Sequence, residues 1–390
     1  MNTIAVVGAS LAGLSSARAL RAQGFDGRLV LIGDEPHRPY DRPPLSKEFL
    51  AGKMLVGDLA LELDDEDLNA EWLLGARAAG VDLAERSVVL ADDRRVRADG
   101  LVIATGASAR TVPGAEGLPG VYTLRTLDDA VALKAALQPG RRLVVIGAGF
   151  IGAETAATAH LLGLDVTVVE AMSTPLAGPL GVEMGAVLAR LHADNGVALL
   201  CGVGVRRFTG RGQVEGVELA DGRVLPADLV LVGVGARPNV DWLLGAGLEL
   251  GNGVLCDSGG QTSVPGVVAV GDCAAWYDRR LGRHHRVEHW TGAVERPKRA
   301  VASLLSGDSA GQDAAPAYFW SDQYDARIQF AGHAQGADAV TIEAGDPASG
   351  SFLAVYRREQ DPVAVLGMNQ VRLFTRWRRA LNAVPVPANP

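Results

Sequence analysis

Ile4-Ala5-Val6-Val7-Gly8-Ala9-Ser10-Leu11-Ala12-Gly13 opens the chain, and Leu143-Val144-Val145-Ile146-Gly147-Ala148-Gly149-Phe150-Ile151-Gly152 repeats its grammar in mid-chain. Each starts with a short apolar run ending at glycine, which predicts a buried strand. The glycines predict a tight turn into a helix, with apolar spacing through Leu20 in the first copy and to about Leu162 in the second. Another strand follows in each, Leu29 to Ile32 and Val166 to Val169. Two such βαβ units in one chain form a diverged internal duplication, not a solenoid.

A glycine-rich strand-to-helix turn brings backbone N–H groups and a helix N-terminus against a pyrophosphate, so both copies predict dinucleotide sites. The first copy departs from G-x-G-x-x-G at Ser10, which either leaves a slightly wider approach or uses its hydroxyl as another donor where the middle glycine would stand. The ribose acceptor expected after the second strand is Asp34 or Glu35. The second copy is complete, with Gly147, Gly149 and Gly152, and Glu170 ends its second strand. Between Ala171 and Gly185 no Lys or Arg follows, so a carboxylate facing the ribose favours NADH over NADPH. Two dinucleotides in one chain make hydride transfer the natural chemistry.

Further strands close each unit: Leu101 to Ala104 running into Thr105-Gly106, and Leu229 to Val232 running into Gly233-Val234-Gly235. Val267 to Val270 leads into Gly271-Asp272, a helix is expected near Ala293 to Leu305, and Ser306 to Pro316 is a polar linker. The expected fold is α/β, with two Rossmann-like dinucleotide-binding domains and a C-terminal α+β domain. Residues 1–113 and 239–315 make the first, 114–238 the second and 316–390 the third.

Of the 390 residues 48% are hydrophobic and 5% aromatic, and there are 48 glycines, which suits a turn-rich globular protein. The net charge of -8 argues against nucleic acid as a partner. No apolar run reaches the roughly 18 residues of a membrane span and no basic signal-like head precedes the first strand, so a cytoplasmic location is expected. Cys201, Cys256 and Cys273 lack C-x-x-C spacing and read as core residues; His284, His285 and His289 read as a solvated loop, with no metal site expected. Asp58 to Glu71 carries seven acids and no base, whereas Asp278 to Arg299 carries seven Lys/Arg against three acids.

Longer motifs carry a resemblance: Pro39-Tyr40-Asp41-Arg42-Pro43-Pro44-Leu45-Ser46-Lys47, Ala104-Thr105-Gly106, Ala269-Val270-Gly271-Asp272-Cys273, Arg286-Val287-Glu288-His289-Trp290 and Phe319-Trp320-Ser321-Asp322-Gln323-Tyr324. Over nearly its whole length the chain resembles the FAD/NAD(P) flavoproteins with two dinucleotide domains, and among them the ferredoxin reductases of bacterial oxygenases. The resemblance implies FAD at Gly8, Ala12, Gly13, Asp34, Lys47, Ala79, Arg125, Asp272 and Trp290. The same motifs bring in Ser10, Glu35, Arg42, Pro44, Thr105, Gly106, Gly271, Glu288 and His289. It implies NADH at Gly147, Gly149, Phe150, Ile151, Gly152, Glu154 and Glu170, with Gly235 opposite.

Catalytic roles implied in this way fall to Lys47, as a positive charge beside the reduced flavin, and to Glu154, Phe150 and Trp320. Relatives with redox cysteines read Leu-Ser-Cys where this chain has Leu45-Ser46-Lys47, so electrons are expected to leave the flavin directly for an outside carrier. A small ferredoxin, docking at Arg279, Arg280, Arg283, Lys298 and Arg299 and near Trp320, is the expected partner. A rubredoxin reductase, a diaphorase and an apoptosis-inducing-factor-like binding protein are the alternatives. A monomer or weak dimer is expected. Arg296-Pro297 departs from the resembled pattern and predicts a later start or a kink in the helix there.

Overall fold

The computed structural model describes residues 1–309 and 315–383; parts of the expected linker (310–314) and of the C-terminal domain (384–390) lie outside the described residues. The opening run forms strand Thr3–Val7 at the centre of a five-stranded parallel sheet, between Arg28–Ile32 and Gly100–Ile103. Ala70–Leu73 and Val267–Ala269 complete its edges. Ile4, Ala5, Val6 and Val7 are all buried, as unbroken apolar strands covered on both faces must be.

The second sheet repeats four of these strands, with Arg142–Ile146 at its centre between Asp165–Glu170 and Leu229–Val232 and Ala198–Cys201 outside; its other edge, Val121–Tyr122, comes from before the unit, not from after it as Val267–Ala269 does in the first sheet. The duplication read from the two glycine turns therefore extends to four strands of each sheet. The chain crosses between lobes twice, and the crossings pair as antiparallel strands Ala107–Ala109 and Ala236–Pro238. Asn239 fastens them, donating to the Thr105 carbonyl at 3.0 Å, while the Thr105 hydroxyl donates to the Asn239 carbonyl at 2.7 Å.

The C-terminal sheet is antiparallel, in the order Tyr318–Gln323, Ala326–Gly332, Asp361–Met368, Ser351–Arg358, Ala339–Asp346. On one face Ile328, Phe352 and Leu366 pack against Leu180, Met184 and Leu188 of the second-lobe helix Ala177–Asp194. Phe374 and Leu381 of the last helix, Val371–Ala383, cover the other.

One expectation is corrected. The helix spans Trp290–Ser306 and runs through Pro297 instead of starting after it. Ala293, Pro297, Ala300, Val301 and Leu304 form one buried stripe at helical spacing, so packing outweighs the hydrogen bond that proline cannot donate.

Candidate active site

A cleft of about 1170 Å³ runs from one glycine turn to the other, roofed at one end by the C-terminal sheet. The turns share one construction. Gly8 and Gly147 have φ of +116° and +99°, and a Cβ at either would lie 2.0 Å from the Ala104 oxygen or 2.4 Å from the Gly233 oxygen. Gly13 and Gly152 do not line the cleft; a Cβ on them would sit 1.8 Å from the Gly8 oxygen and 2.0 Å from the Gly147 oxygen, so they let helix approach strand. Helices Leu11–Ala22 and Phe150–Leu161 start without a capping side chain or an acid in the first turn, leaving their positive ends for an anion. Ser10 has φ of -112°, which any residue adopts, and its hydroxyl stands 3.4 Å from the Arg42 guanidinium. The loss of the middle glycine thus puts a hydroxyl and a guanidinium where a phosphate would lie.

A chain of polar contacts backs the first turn. Glu35 accepts from the Tyr40 hydroxyl at 2.5 Å and from Arg42 at 2.6 Å, and Arg42 also donates to the Arg125 carbonyl at 2.5 Å. Arg125 pairs with Asp272 at 2.5 Å and bonds the Ala107 carbonyl at 2.9 Å. Tyr40 accepts from the Leu127 amide, and burial holds its hydroxyl protonated well above the ordinary tyrosine range. Asp34 is exposed at the cleft edge, and Thr105, Gly106, Gly271 and Glu288 also line the cleft. Ala79 and Pro44 do not, although Ala78, Pro43 and Leu45 beside them do; Ala79 is exposed.

In the second lobe the Glu170 carboxylate accepts from the amides of Ala148 and Met172, both at 2.8 Å, which fixes it against the glycine turn. Glu154 is only 3% exposed and accepts from three side chains on two segments: Ser46 at 2.5 Å, Lys47 at 2.7 Å and Ser321 at 2.8 Å. A buried carboxylate so supplied is fixed in place and positions the ammonium beside it. Phe150 opens the second helix with its ring 4.3 Å from that of Phe319, and Ile151, Gly149 and Gly235 complete this side. Among the described residues no cysteine lines the cleft; Lys47 stands where relatives with redox cysteines carry the sulfur, and Cys256 and Cys273 are buried elsewhere.

At the rim, Trp290 donates to Asp41 at 2.8 Å and meets Trp320 edge-on at 6.1 Å. Tyr318 stacks on Trp320 at 6.0 Å, and Arg378 lies over the Tyr318 ring at 4.0 Å. That arginine belongs to the last helix, which holds Arg372, Arg376 and Arg379 as well and no acid, a basic face absent from the sequence reading. The expected basic segment is spread out: Arg283 bonds Gln335, Arg299 reaches the Ser258 carbonyl and Lys298 is exposed. The histidines divide too, and not as a solvated loop: His284 and His285 lie in strand Arg283–Arg286, where His284 is exposed, while His285 and His289 are half-buried, each with its Nδ1 buried and lacking a hydrogen-bond partner. Burial brings His289 down to about 4, so it lines the cleft as a neutral ring. Ser321, Asp41, Tyr40 and Asn239 had no assigned role; all but Ser321 and Asn239 lie within the proline-rich motif, which was the available signal.

The family described as pyridine nucleotide-disulphide oxidoreductase matches residues 2–296. The chain belongs to that family. A second family, described as reductase C-terminal, matches residues 318–388. The chain is 38% identical over 378 residues to the biphenyl dioxygenase system ferredoxin–NAD(+) reductase component of Paraburkholderia xenovorans (strain LB400), covering 96% of this chain and 92% of that one. It is 35% identical over 398 residues to putidaredoxin reductase CamA of Pseudomonas putida, covering 100% of this chain and 94% of that one. The covalent putidaredoxin reductase–putidaredoxin complex matches with a TM-score of 0.93 at 34% identity, over 98% of this chain and 93% of that one. The chain is an oxidoreductase whose cofactors are FAD and NAD(H), and the paired glycine cradles and open helix ends fit two dinucleotides. Among the described residues no helix is long and apolar enough to cross a membrane.

Proposed function

We propose that this chain oxidises NADH through FAD and passes electrons singly to a small ferredoxin that serves an oxygenase of the cytochrome or Rieske type. The observation that carries the reading is the Lys47–Glu154 pair between two dinucleotide turns, in a cleft that opens past Trp290 to Trp320. FAD, when bound, accepts a hydride from NADH and gives up electrons one at a time, the conversion an iron–sulfur acceptor needs.

The protein's own groups divide the work. The amides at the start of helix Leu11–Ala22, with Ser10 and Arg42, would hold the pyrophosphate of FAD; Asp34 and Glu35 would accept from its ribose, and Asp272 and Arg125 would hold the chain leading to the ring. The amides at the start of Phe150–Leu161 and the Glu170 carboxylate would do the same for NADH, and no Lys or Arg between Ala171 and Gly185 would favour a 2′-phosphate. Lys47, held by Glu154, supplies a positive charge that attracts the charge arriving with a hydride. Phe150 would cover the ring until nicotinamide displaces it.

The ferredoxin would dock near Trp320 and the segment Arg279 to Arg299. The basic face of helix Val371–Ala383, in contact with Tyr318, would extend that field toward an acidic partner. A monomer or weak dimer acting in the cytoplasm, where NADH is available, suits this role. Anaerobic NADH addition should bleach the bound flavin, and cytochrome c reduction should be fast only with a ferredoxin present and should slow as salt rises. A flavin that stays oxidised under NADH refutes the proposal. A flavin that bleaches but serves dyes or rubredoxin better than every ferredoxin assigns the chain to another acceptor.

A further inference from the structure

We infer that Asp278, His285 and His333 form a site for a divalent cation of the zinc class, which ties the first lobe to the C-terminal sheet. One ligating atom from each of the three lies within 4.8 Å of the other two. Asp278 and His285 come from a hairpin, Ala274–Asp278 paired with Arg283–Arg286, in which His285 stands opposite Trp276. Asp278 is two residues beyond Trp276 and shares its face, so the two ligands are diagonal neighbours on one side of the hairpin. His333 arrives from the other domain, directly after strand Ala326–Gly332.

The distances suit a small cation. His333 Nε2 and Asp278 Oδ2 are 3.4 Å apart, while ligand atoms on a tetrahedral zinc with ordinary bond lengths are separated by about 3.3 Å. The other Asp278 oxygen accepts from the amides of Arg280 at 2.9 Å and Leu281 at 3.2 Å, which aims Oδ2 at the site as a supporting bond should. The His285 and His333 rings meet edge to face at 4.8 Å, and the buried Nδ1 of His285 has no hydrogen-bond partner. The side chains of His333 and Asp278 are 16% and 21% exposed, enough for an ion to enter and for water to fill the fourth position. Two imidazoles and one carboxylate are a borderline-soft donor set that selects zinc-like ions over calcium or magnesium.

Opposing charge is also close. Arg296 lies over the Trp276 ring at 5.1 Å, and Arg283 is held by Gln335 at 2.5 Å. With one carboxylate among three ligands the bound ion stays net positive beside them, so micromolar affinity is expected, weaker than a buried structural zinc site.

The test uses the flavin-loaded protein titrated with zinc chloride in competition with a chromophoric chelator. One equivalent should bind in the micromolar range and raise the melting temperature. His333→Ala and Asp278→Asn should each weaken binding at least tenfold and abolish that rise, whereas His284→Ala, at the exposed neighbour, should change neither. The inference fails if no zinc binds below millimolar concentration, if His333→Ala binds as the unaltered protein does, or if His284→Ala removes binding. X-ray absorption at the zinc edge of the unaltered protein gives a result that does not depend on any variant folding. Scattering from two imidazoles is expected, and sulfur in the ligand shell overturns the assignment.

Discussion

Replacing Glu154 with Gln keeps the size of the side chain and an oxygen for Ser46 or Ser321, but removes the charge opposite Lys47. The Lys47 and Glu154 side chains are 13% and 4% exposed and 2.7 Å apart. Leaving one member of a buried pair uncompensated costs about 3 kcal/mol, whereas removing both charges together costs much less. Glu154→Gln should therefore destabilise the protein by about 3 kcal/mol, and Lys47→Met in the same chain should recover at least about half of that. In the reductive half-reaction, losing the position of the Lys47 ammonium should slow flavin reduction by NADH about tenfold, equivalent to about 1.4 kcal/mol of barrier. Urea unfolding of the two single variants and the double variant gives the coupling, and anaerobic stopped-flow absorbance gives the rate. If the two changes add to within about 0.5 kcal/mol, or the single variant is reduced at the unaltered rate, Glu154 does not hold Lys47 for this step.

Other expectations follow from the same geometry. Glu170→Ala loses the acceptor for two amides and the ribose contact, so KM for NADH should rise about tenfold while the preference over NADPH narrows, as initial rates with each nucleotide will report. Trp320→Ala should slow ferredoxin-dependent cytochrome c reduction several-fold and leave NADH-driven dye reduction intact; equal losses in both assays would place Trp320 in flavin packing. His192, 1% exposed and bonded to the Tyr324 hydroxyl at 2.9 Å, is lowered by burial from 6.5 to about 4. The unfolded chain then takes up a proton that the folded one excludes, so stability should fall as pH drops from 6.5 toward 4. Melting curves across that window should be flatter for His192→Gln, and an unchanged slope would refute the assignment.

The two lobes were legible because their determinants are local. A strand, a glycine turn and a helix occupy some twenty consecutive residues, and Gly8, Gly13, Gly147 and Gly152 each answer to a contact within that unit or at the end of the adjacent strand. The proline-rich motif carried Arg42 and Lys47 in the same way. The early start of the helix through Pro297 was not legible because a local rule about a missing donor was set against burial that only the packed structure reveals. Ser321 reaches Glu154 across 167 positions and His333 reaches Asp278 across 55, and no periodicity reports such meetings. The basic last helix was visible as composition, but its relation to Trp320 passes through Tyr318 and depended on how the terminal sheet docks.

The antiparallel pairing of Ala107–Ala109 with Ala236–Pro238 means that the polypeptide departs from the first lobe and returns to it side by side. A unit whose two ends are neighbours can be spliced into a host without pulling the host apart. The architecture is thus nested: one sheet's stretch of chain lies between two parts of the other's, and the paired crossings are a two-stranded strap between them.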